Sequence, residues 1–374
     1  MTYRIAADLL RYRGEWVHDR TVTVTDGVIV SVTQGLPSGS DVRHVPCLVP
    51  GVIDNHMHGG FGFAATEADA DGMEAFLSRL GGMHVRGAVL GLYGSTEEIR
   101  RGLAAADEVM KRQKNARIPG SARLLGVHLE GPFLSPERPG AMKPEHLRKP
   151  TVPAYRALVS GYEDLIREMT LAPEEDDGFA LTSYLRSVGV RVLAGHTDCD
   201  YDTAVGAFSA GVGAVCHTFN ASRPIRHRDP GILTAALTDP DIFCECIGDT
   251  IHLHPGILRL LALCKRNGRL MLISDAVSTA GYPDGEYTEN GWTVIVRGGA
   301  CYLPDGTLNG GGCYTPYAVG RLVKAGIPLE TAVLAASETP AAWLGLSDWR
   351  IDVGCPACLN AFASDGTPIA LPET

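Results

Sequence analysis

The chain lacks any run of about 18 consecutive apolar residues, the length a membrane-crossing helix needs. Its start, Met1-Thr2-Tyr3-Arg4-Ile5-Ala6-Ala7-Asp8, lacks the apolar segment of a secretion signal. These absences speak against a helical membrane protein and predict a chain that is not exported, with the cytoplasm as its expected compartment. Basic charge is in short supply: 33 Lys and Arg stand against 43 Asp and Glu, a formal net charge of −10, so neither nucleic acid nor an anionic membrane is the expected partner. A small anion held in a local basic pocket stays compatible with that balance. Internal repeats and low-complexity segments are missing. So is a disulfide framework: the ten cysteines lie in apolar segments such as Ala214-Val215-Cys216 and Phe243-Cys244-Glu245-Cys246, the setting of reduced, buried thiols. Cys355-Pro356-Ala357-Cys358 has the spacing of half a zinc ribbon, but no second Cys pair completes it.

What is present points to a large α/β enzyme. With 374 residues, 45% apolar and 20% charged, the chain has room for a large domain and a small accessory one. The first fifty residues alternate as β-structure does, through Thr21-Val22-Thr23-Val24-Thr25, the hairpin signal Asp26-Gly27, and Val28-Ile29-Val30-Ser31-Val32. From residue 50 short apolar runs alternate with helical patterns: Leu48 to Asp54, Ala88 to Gly94, Leu124 to Glu130, Met169 to Ala172, Val190 to His196, Ala214 to Phe219, Phe243 to Gly248 and Leu270 to Asp275. Helical periodicity marks Met73 to Leu80, Ile99 to Met110, Tyr155 to Arg167 and Pro255 to Leu263. Eight such strand-helix units predict a (β/α)8 TIM-type barrel over residues 50–349. Residues 131–150 form a long Pro/Gly loop after the third strand. Residues 281–312 predict a β-hairpin insertion followed by a Gly-rich loop, and residues 350–374 return to short strands.

His56, His58, Glu130, His196, His217 and Asp275 end the predicted strands one, three, five, six and eight, where barrel enzymes place their chemistry. In the extended segment Asp54-Asn55-His56-Met57-His58, the His-x-His spacing sends both imidazoles to one side, so they can share a cation. Any one of these residues alone would read as a satisfied polar side chain. Together on one rim, their burial is costly unless a cation compensates it. Imidazoles with one carboxylate suit zinc first, with iron, manganese or cobalt as alternatives, rather than magnesium or calcium. A cation so held lowers the pKa of a bound water toward about 7 and polarises a carbonyl, which predicts hydrolysis. Asp275 has the position of the proton carrier; its bland alternative is a helix N-cap.

The motifs Pro50-Gly51-Val52-Ile53-Asp54-x-His56-x-His58-Gly59, His128-Leu129-Glu130-Gly131-Pro132-Phe133-Leu134, Gly195-His196-Thr197, His217-Thr218-Phe219-Asn220-Ala221, Arg228-Asp229-Pro230-Gly231, Ile251-His252-x-His254-Pro255 and Ser274-Asp275-Ala276 run through most of the barrel. In that order they resemble the N-acetylglucosamine-6-phosphate deacetylases of the amidohydrolase superfamily. The resemblance implies a barrel with a small β-sandwich built from both termini, residues 1–49 and 350–374, and a homodimer that shares its active sites. It implies one or two divalent metal ions, with Glu130, His196 and His217 as ligands and His56 and His58 as the pair for a second ion. It implies Asp275 as the catalytic acid and base, Asn220 and Ala221 as substrate contacts, and Arg228 and His252 as groups holding a sugar phosphate. In some members that arginine comes from the neighbouring subunit. Guanidinium and imidazole suit a phosphate, and Arg223, Arg226, His227 and Arg228 form a local basic cluster.

The long loop departs from the pattern. Where the family carries Gly-small-His, with the histidine on the substrate carbonyl, this chain has Gly140-Ala141-Met142. Met142 cannot donate a hydrogen bond, which leaves the metal alone to stabilise the oxyanion, or another group such as His128 or His146 to reach in. The Gly310-Gly311-Gly312-Cys313-Tyr314 stretch is also bulkier at its end than the pattern leads one to expect. The expected activity is hydrolysis of the acetamide of N-acetylglucosamine-6-phosphate. The alternatives are another N-acyl substrate, such as an acetylgalactosamine phosphate, an N-acyl amino acid or a cyclic amide, or a sugar-phosphate-binding protein without chemistry.

Overall fold

Strong β-formers joined by tight turns carry the chain through four strands before the barrel begins: β1 (Thr2–Tyr12), β2 (Glu15–Thr25), β3 (Val28–Gln34) and β4 (Val42–Pro50). Asp26 and Gly27, both at positive φ, make the two-residue turn that joins β2 to β3. The structure is a computed structural model and describes every residue except Ser40, Arg117, Asn290, Gly291, Glu373 and Thr374. Those positions of the two expected domains lie outside the described residues.

The barrel strands and their helices follow in strict alternation. β5 (Val52–Met57) leads through a small ribbon, β6 (Gly59–Gly60) with β7 (Phe63–Ala64), to α1 (Ala70–Gly82). Then come β8 (Val85–Leu92), α2 (Thr96–Asn115), β9 (Arg123–Glu130), α3 (Val152–Val159), β10 (Ile166–Leu171), α4 (Ala180–Ser187), β11 (Arg191–Ala194) and α5 (Tyr201–Ala210). β12 (Val212–Val215), α6 (Gly231–Thr238), β13 (Phe243–Ile247), α7 (Pro255–Cys264) and β14 (Leu270–Ile273) complete the series. An antiparallel excursion, β15 (Gly285–Glu289), β16 (Trp292–Arg297), β17 (Ala300–Tyr302) and β18 (Leu308–Gly311), precedes α8 (Thr315–Lys324), α9 (Leu329–Ala336) and α10 (Glu338–Leu344). The chain closes with β19 (Leu359–Phe362) and β20 (Pro368–Ile369).

The eight barrel strands pair in the order β14-β13-β12-β11-β10-β9-β8-β5, each pair parallel. Such a sheet is buried on both faces, which is why its strands read as continuous apolar runs. β14 returns to β5 at the mouth, where the backbone of Ser274 donates to the Asp54 carboxylate at 3.2 Å and Ala276 accepts from the backbone of His58 at 2.7 Å. At the opposite end Trp349 donates its indole N–H to the carbonyl of Gly51 at 2.7 Å.

Strands from both ends of the chain form a second, six-stranded sheet, ordered β20-β19-β4-β1-β2-β3. Ile5, Leu10, Val22, Val24, Ile29 and Leu48 make its apolar face together with Ile351, Leu359 and Ala361.

Three expectations need correction. The run Leu48 to Asp54 is not one strand: Leu48–Pro50 pairs antiparallel with β19, and Gly51 passes the chain to the other sheet. Gly51 is required there, because a Cβ would come within 2.6 Å of the Cys358 sulfur. The pattern Tyr155 to Arg167 breaks after Val159, where Gly161 adopts φ 86° and the chain re-enters the barrel at Ile166. The insertion at 281–312 is a four-stranded sheet, and Gly310 and Gly311 lie within β18 instead of a loop.

Local signals that set the helices are visible. In α2, Ser95 accepts from the backbone of Glu98 at 3.2 Å while the Glu98 carboxylate accepts from the backbone of Ser95 at 2.7 Å, a reciprocal cap worth about 1 kcal/mol. Its Ile99, Leu103, Ala106 and Val109 repeat at helical spacing and are buried against the barrel. Among the described residues no helix is long and apolar enough to cross a membrane.

Candidate metal centre

Each expected ligand stands at the C-terminal end of its strand or just past it. His56 lies within β5 and His58 follows it; Glu130 ends β9; His196, His217 and Asp275 come one or two residues after β11, β12 and β14. Those last three have left-handed backbones, with φ of 46°, 24° and 49°. For residues other than glycine such a turn costs on the order of 1–3 kcal/mol and persists where the surroundings over-determine it, as at functional sites. It stops the strand and swings the side chain across the barrel mouth.

The Glu130 carboxylate is the hub. Oε1 lies 3.1 Å from His196 Nε2 and 2.9 Å from His217 Nε2, and those two nitrogens are 3.1 Å apart. Oε2 lies 3.0 Å from His58 Nε2, and Asp275 Oδ1 stands 3.3 Å from His58 Nε2 and 3.6 Å from His56 Nε2. Among the described residues three clusters of potential ligands result, each with its donor atoms within 4.8 Å of one another: Glu130/His196/His217 and His56/His58/Asp275 at the mouth, and His56/His128/Cys216, all fully buried.

Tautomers decide what fits there. His58 Nδ1 faces the carbonyl of Gly91 at 3.0 Å and His196 Nδ1 that of Arg138 at 3.1 Å. A carbonyl only accepts, so both Nδ1 atoms carry hydrogen and both neutral rings aim an Nε2 lone pair into the site. A lone pair pointed at carboxylate oxygens, and another at a second imidazole nitrogen, repel unless a cation lies between. Among the described residues His56 Nε2 is buried with no hydrogen-bond partner. Tetrahedral zinc with ligand bonds of about 2.0–2.1 Å spaces its ligand atoms about 3.3 Å apart, so these contacts fit a divalent ion. Without a cation a proton takes its place on Nε2: burial resists charging His58, yet the Asp275 and Glu130 carboxylates outweigh it and push the ring up to about 9. Burial likewise opposes ionised Glu130, but facing His56, His196 and His217 hold it well below the usual carboxylate range.

The surroundings hold the rings in place. Glu245, on β13, accepts from His56 Nδ1 at 3.0 Å and from the backbone of His217 at 3.1 Å through one oxygen, and from Asn55 at 2.8 Å through the other. Gly91 lets His58 approach, since a Cβ would sit 2.4 Å from the ring; Gly140, at φ 57°, likewise leaves room for His196. A cleft of about 240 Å³ opens above the ligands, and Met142, Asn220, Ala221 and His252 line it with His58, Glu130, His196, His217 and Asp275.

No profile of a known protein family matches the chain. Individual relatives do. An N-acetylgalactosamine-6-phosphate deacetylase of Escherichia coli O157:H7 is 31% identical over 349 residues, covering 92% of this chain and 90% of that protein. An N-acetylglucosamine-6-phosphate deacetylase of Bacillus subtilis (strain 168) is 35% identical, covering 79% and 76%. The chain belongs to the N-acetylglucosamine-6-phosphate deacetylase family of the amidohydrolase superfamily. Solved members share its fold. An Asp-to-Ala mutant of the Mycobacterium smegmatis deacetylase, in complex with N-acetyl-D-glucosamine-6-phosphate, superposes with a TM-score of 0.88 at 28% identity over 98% of this chain and 96% of that one. The Thermotoga maritima deacetylase gives 0.85 at 26% identity over 99% and 97%.

Within this deacetylase some expected site residues are placed differently. Arg228 is exposed and does not line the cleft of its own chain. The basic cluster is not one site, because Arg223 is paired with Asp198 at 3.3 Å and Asp229 at 2.8 Å. His128 does not reach in. It is fully buried, bonded to the Thr170 hydroxyl at 2.8 Å, and held well below the usual histidine range by burial and by His56. His146 lies beside a neighbouring cavity with Met142, outside the cleft. His254 is structural, accepting from the backbone of Gly256 at 3.1 Å as the N-cap of α7. Cys355 and Cys358 gather no third ligand among the described residues.

Sequence reasoning missed Glu245, Asn55, Tyr93 and Asn309. An acidic residue in mid-strand, as in Phe243-Cys244-Glu245-Cys246, was the available signal for the first. Tyr93 stands at the end of β8, edge-on to His58 with ring centroids 4.8 Å apart, and its place at a strand end was its signal. Asn309 lines the cleft from the inserted sheet, and nothing local in the sequence marks it.

Proposed function

We propose that this protein hydrolyses the acetamide of N-acetylglucosamine-6-phosphate to glucosamine-6-phosphate and acetate. The observation that carries the reading is the pair of Nε2 lone pairs, fixed by the carbonyls of Gly91 and Arg138, that converge on Glu130. Glu130, His196 and His217 hold one divalent ion in this reading, and His56 and His58 are the pair that takes a second; the donor set favours zinc, with iron, manganese or cobalt as substitutes. When bound, such an ion lowers the pKa of water toward about 7 and polarises the amide carbonyl.

The chain's own groups do the rest. Asp275 accepts a proton from the attacking water at its carboxylate and returns it to the departing amine. Facing His58 and His56 hold that carboxyl below its usual range against the opposing effect of burial, so it begins as the base the first step needs. Asn220 and Ala221 position the sugar. His252 lines the cleft and, as an imidazolium, donates its Nδ1–H to Asp249 at 2.7 Å and its other N–H to the phosphate. Arg228, exposed on its own chain, supplies the second phosphate donor to a neighbouring subunit in a homodimer. Residues 1–49 with 350–374 act as the small domain. The cysteines form no disulfide among the described residues, which supports a reducing, cytoplasmic setting.

The test is acetate release from N-acetylglucosamine-6-phosphate by purified, metal-loaded protein, beside the unphosphorylated sugar. Rapid release that depends on the phosphate is expected, and none from either compound would overturn the reading. N-Acetylgalactosamine-6-phosphate belongs in the same panel, because a relative at 31% identity is named for that sugar.

A further inference from the structure

A second cavity, of about 70 Å³, lies beside the metal-site cleft. The two share Tyr93, Glu130, Ala141, Met142 and Asn309, so they meet across the Met142 side chain at the metal-facing carboxylate. Beyond that junction Pro132, Leu134, Leu147, Val294 and Leu303 make the apolar part of the wall, and Thr66, Glu98, Lys143 and His146 its polar part. Of its polar residues, Glu98 is already committed to the cap of α2 through its bond to the Ser95 backbone at 2.7 Å. Asn220, Ala221 and His252 do not line it.

That division gives the amide carbon two directions. Its nitrogen leads to the sugar, on the side of Asn220 and His252, and its alkyl substituent must leave on the other side, toward Met142. Met142 is unbranched, flexible and unable to donate a hydrogen bond, so it offers an adaptable apolar gate in place of a polar stop. We propose that this cavity receives the acyl chain, and that the enzyme hydrolyses N-acyl amino-sugar phosphates whose acyl group is larger than acetyl; this rests on the deacylation reading above. Water adds to the acyl carbon, the C–N bond breaks, one water proton passes through Asp275 to the nitrogen, and the second passes from the acid so formed to the free amine, giving the longer carboxylate and the amino-sugar phosphate as its ammonium form.

The experiment compares kcat/KM for the N-acetyl, N-propanoyl and N-butanoyl forms of glucosamine-6-phosphate with the purified, metal-loaded full chain. A methylene moved from water onto an apolar wall is worth about fourfold in binding, so the butanoyl substrate is expected to match or exceed acetyl. Filling the cavity with Leu303→Trp should lower the butanoyl-to-acetyl ratio by about tenfold, close to the worth of two methylenes. Leu147→Phe, from another part of the wall, repeats the test should the first variant lose acetyl turnover by misfolding. Acetate release with butanoate release more than about a hundredfold slower overturns the proposal and leaves the deacetylase reading standing. A ratio unmoved by both variants also overturns it, and release of no acid from any substrate overturns both readings.

Discussion

The backbone N–H of Asp275 donates to the carbonyl oxygen of His56 at 2.9 Å, and the Asp275 carboxylate stands 3.6 Å from the Nε2 of the same histidine. The hydrogen bond that joins the last barrel strand to the first therefore also fixes the proposed proton carrier against the proposed metal ligands. Precision at the site follows from closure of the fold, because neither residue can shift without opening the seam between β5 and β14.

The first prediction follows from that seam. Asp275→Asn keeps the backbone bond and the side-chain volume but cannot take a proton. Metal content, read by elemental analysis after gel filtration, should match the parent, while acetate release falls by about 10²–10⁴. Turnover within about threefold of the parent would remove Asp275 from the proton path.

Glu245 supports a second prediction. Its carboxylate accepts from both the His56 ring and the His217 backbone, and outer carboxylates of this kind are typically worth about 10–100-fold in metal affinity. Glu245→Gln should weaken binding by that factor in competition with a chromogenic chelator while leaving every proposed ligand in place. Unchanged affinity would show that the rings are held by packing alone.

Glu168 gives the pH dependence. Burial and the neighbouring Glu245 carboxylate push it up to about 8, although Trp343 and Asn55 donate to it at 2.7 and 3.4 Å. An unfolded glutamate titrates near about 4.3. Below that value both states are protonated and the folded state carries no penalty from this group. Between about 4.3 and about 8 the unfolded chain ionises and the folded one does not, so stability falls as pH rises. Glu168→Gln removes that titration and should flatten the decline, recovering on the order of 4 kcal/mol at pH 8 relative to pH 5 in urea unfolding. Parallel pH profiles for parent and variant would mean that the carboxyl is ionised in the folded state.

The sequence announced the barrel because strands buried on both faces must be largely apolar, and their ends were marked by imidazoles and carboxylates. His56, His58, Glu130, His196, His217 and Asp275 were legible for that reason. What it concealed depended on contacts remote in sequence. Gly51 passes the chain between sheets because Cys358 crowds it, a contact between the two ends of the chain. Arg223 resembled part of an anion site until Asp198 and Asp229 were found beside it. Asn309 reaches the cleft only through the turn of a sheet inserted after the last barrel strand.

Arg228 carries the last prediction. It is exposed and absent from the cleft of its own chain, as expected of a side chain that serves a neighbour across a two-fold axis. Arg228→Ala should raise KM for the phosphorylated sugar by about tenfold to a hundredfold, the cost of losing a charge-assisted phosphate contact, with little change for an unphosphorylated analogue. In the proposed dimer Asp275→Asn and Arg228→Ala fall on different chains of each site, so a mixed dimer would contain one site with both groups intact and one with neither. Denaturing and refolding the two variants together should restore roughly a quarter of parent activity at low substrate, since half the dimers are mixed and half of their sites are whole. If Arg228 served its own chain, every site in the mixture would lack one group or the other, and mixing would yield only the average of the two variants.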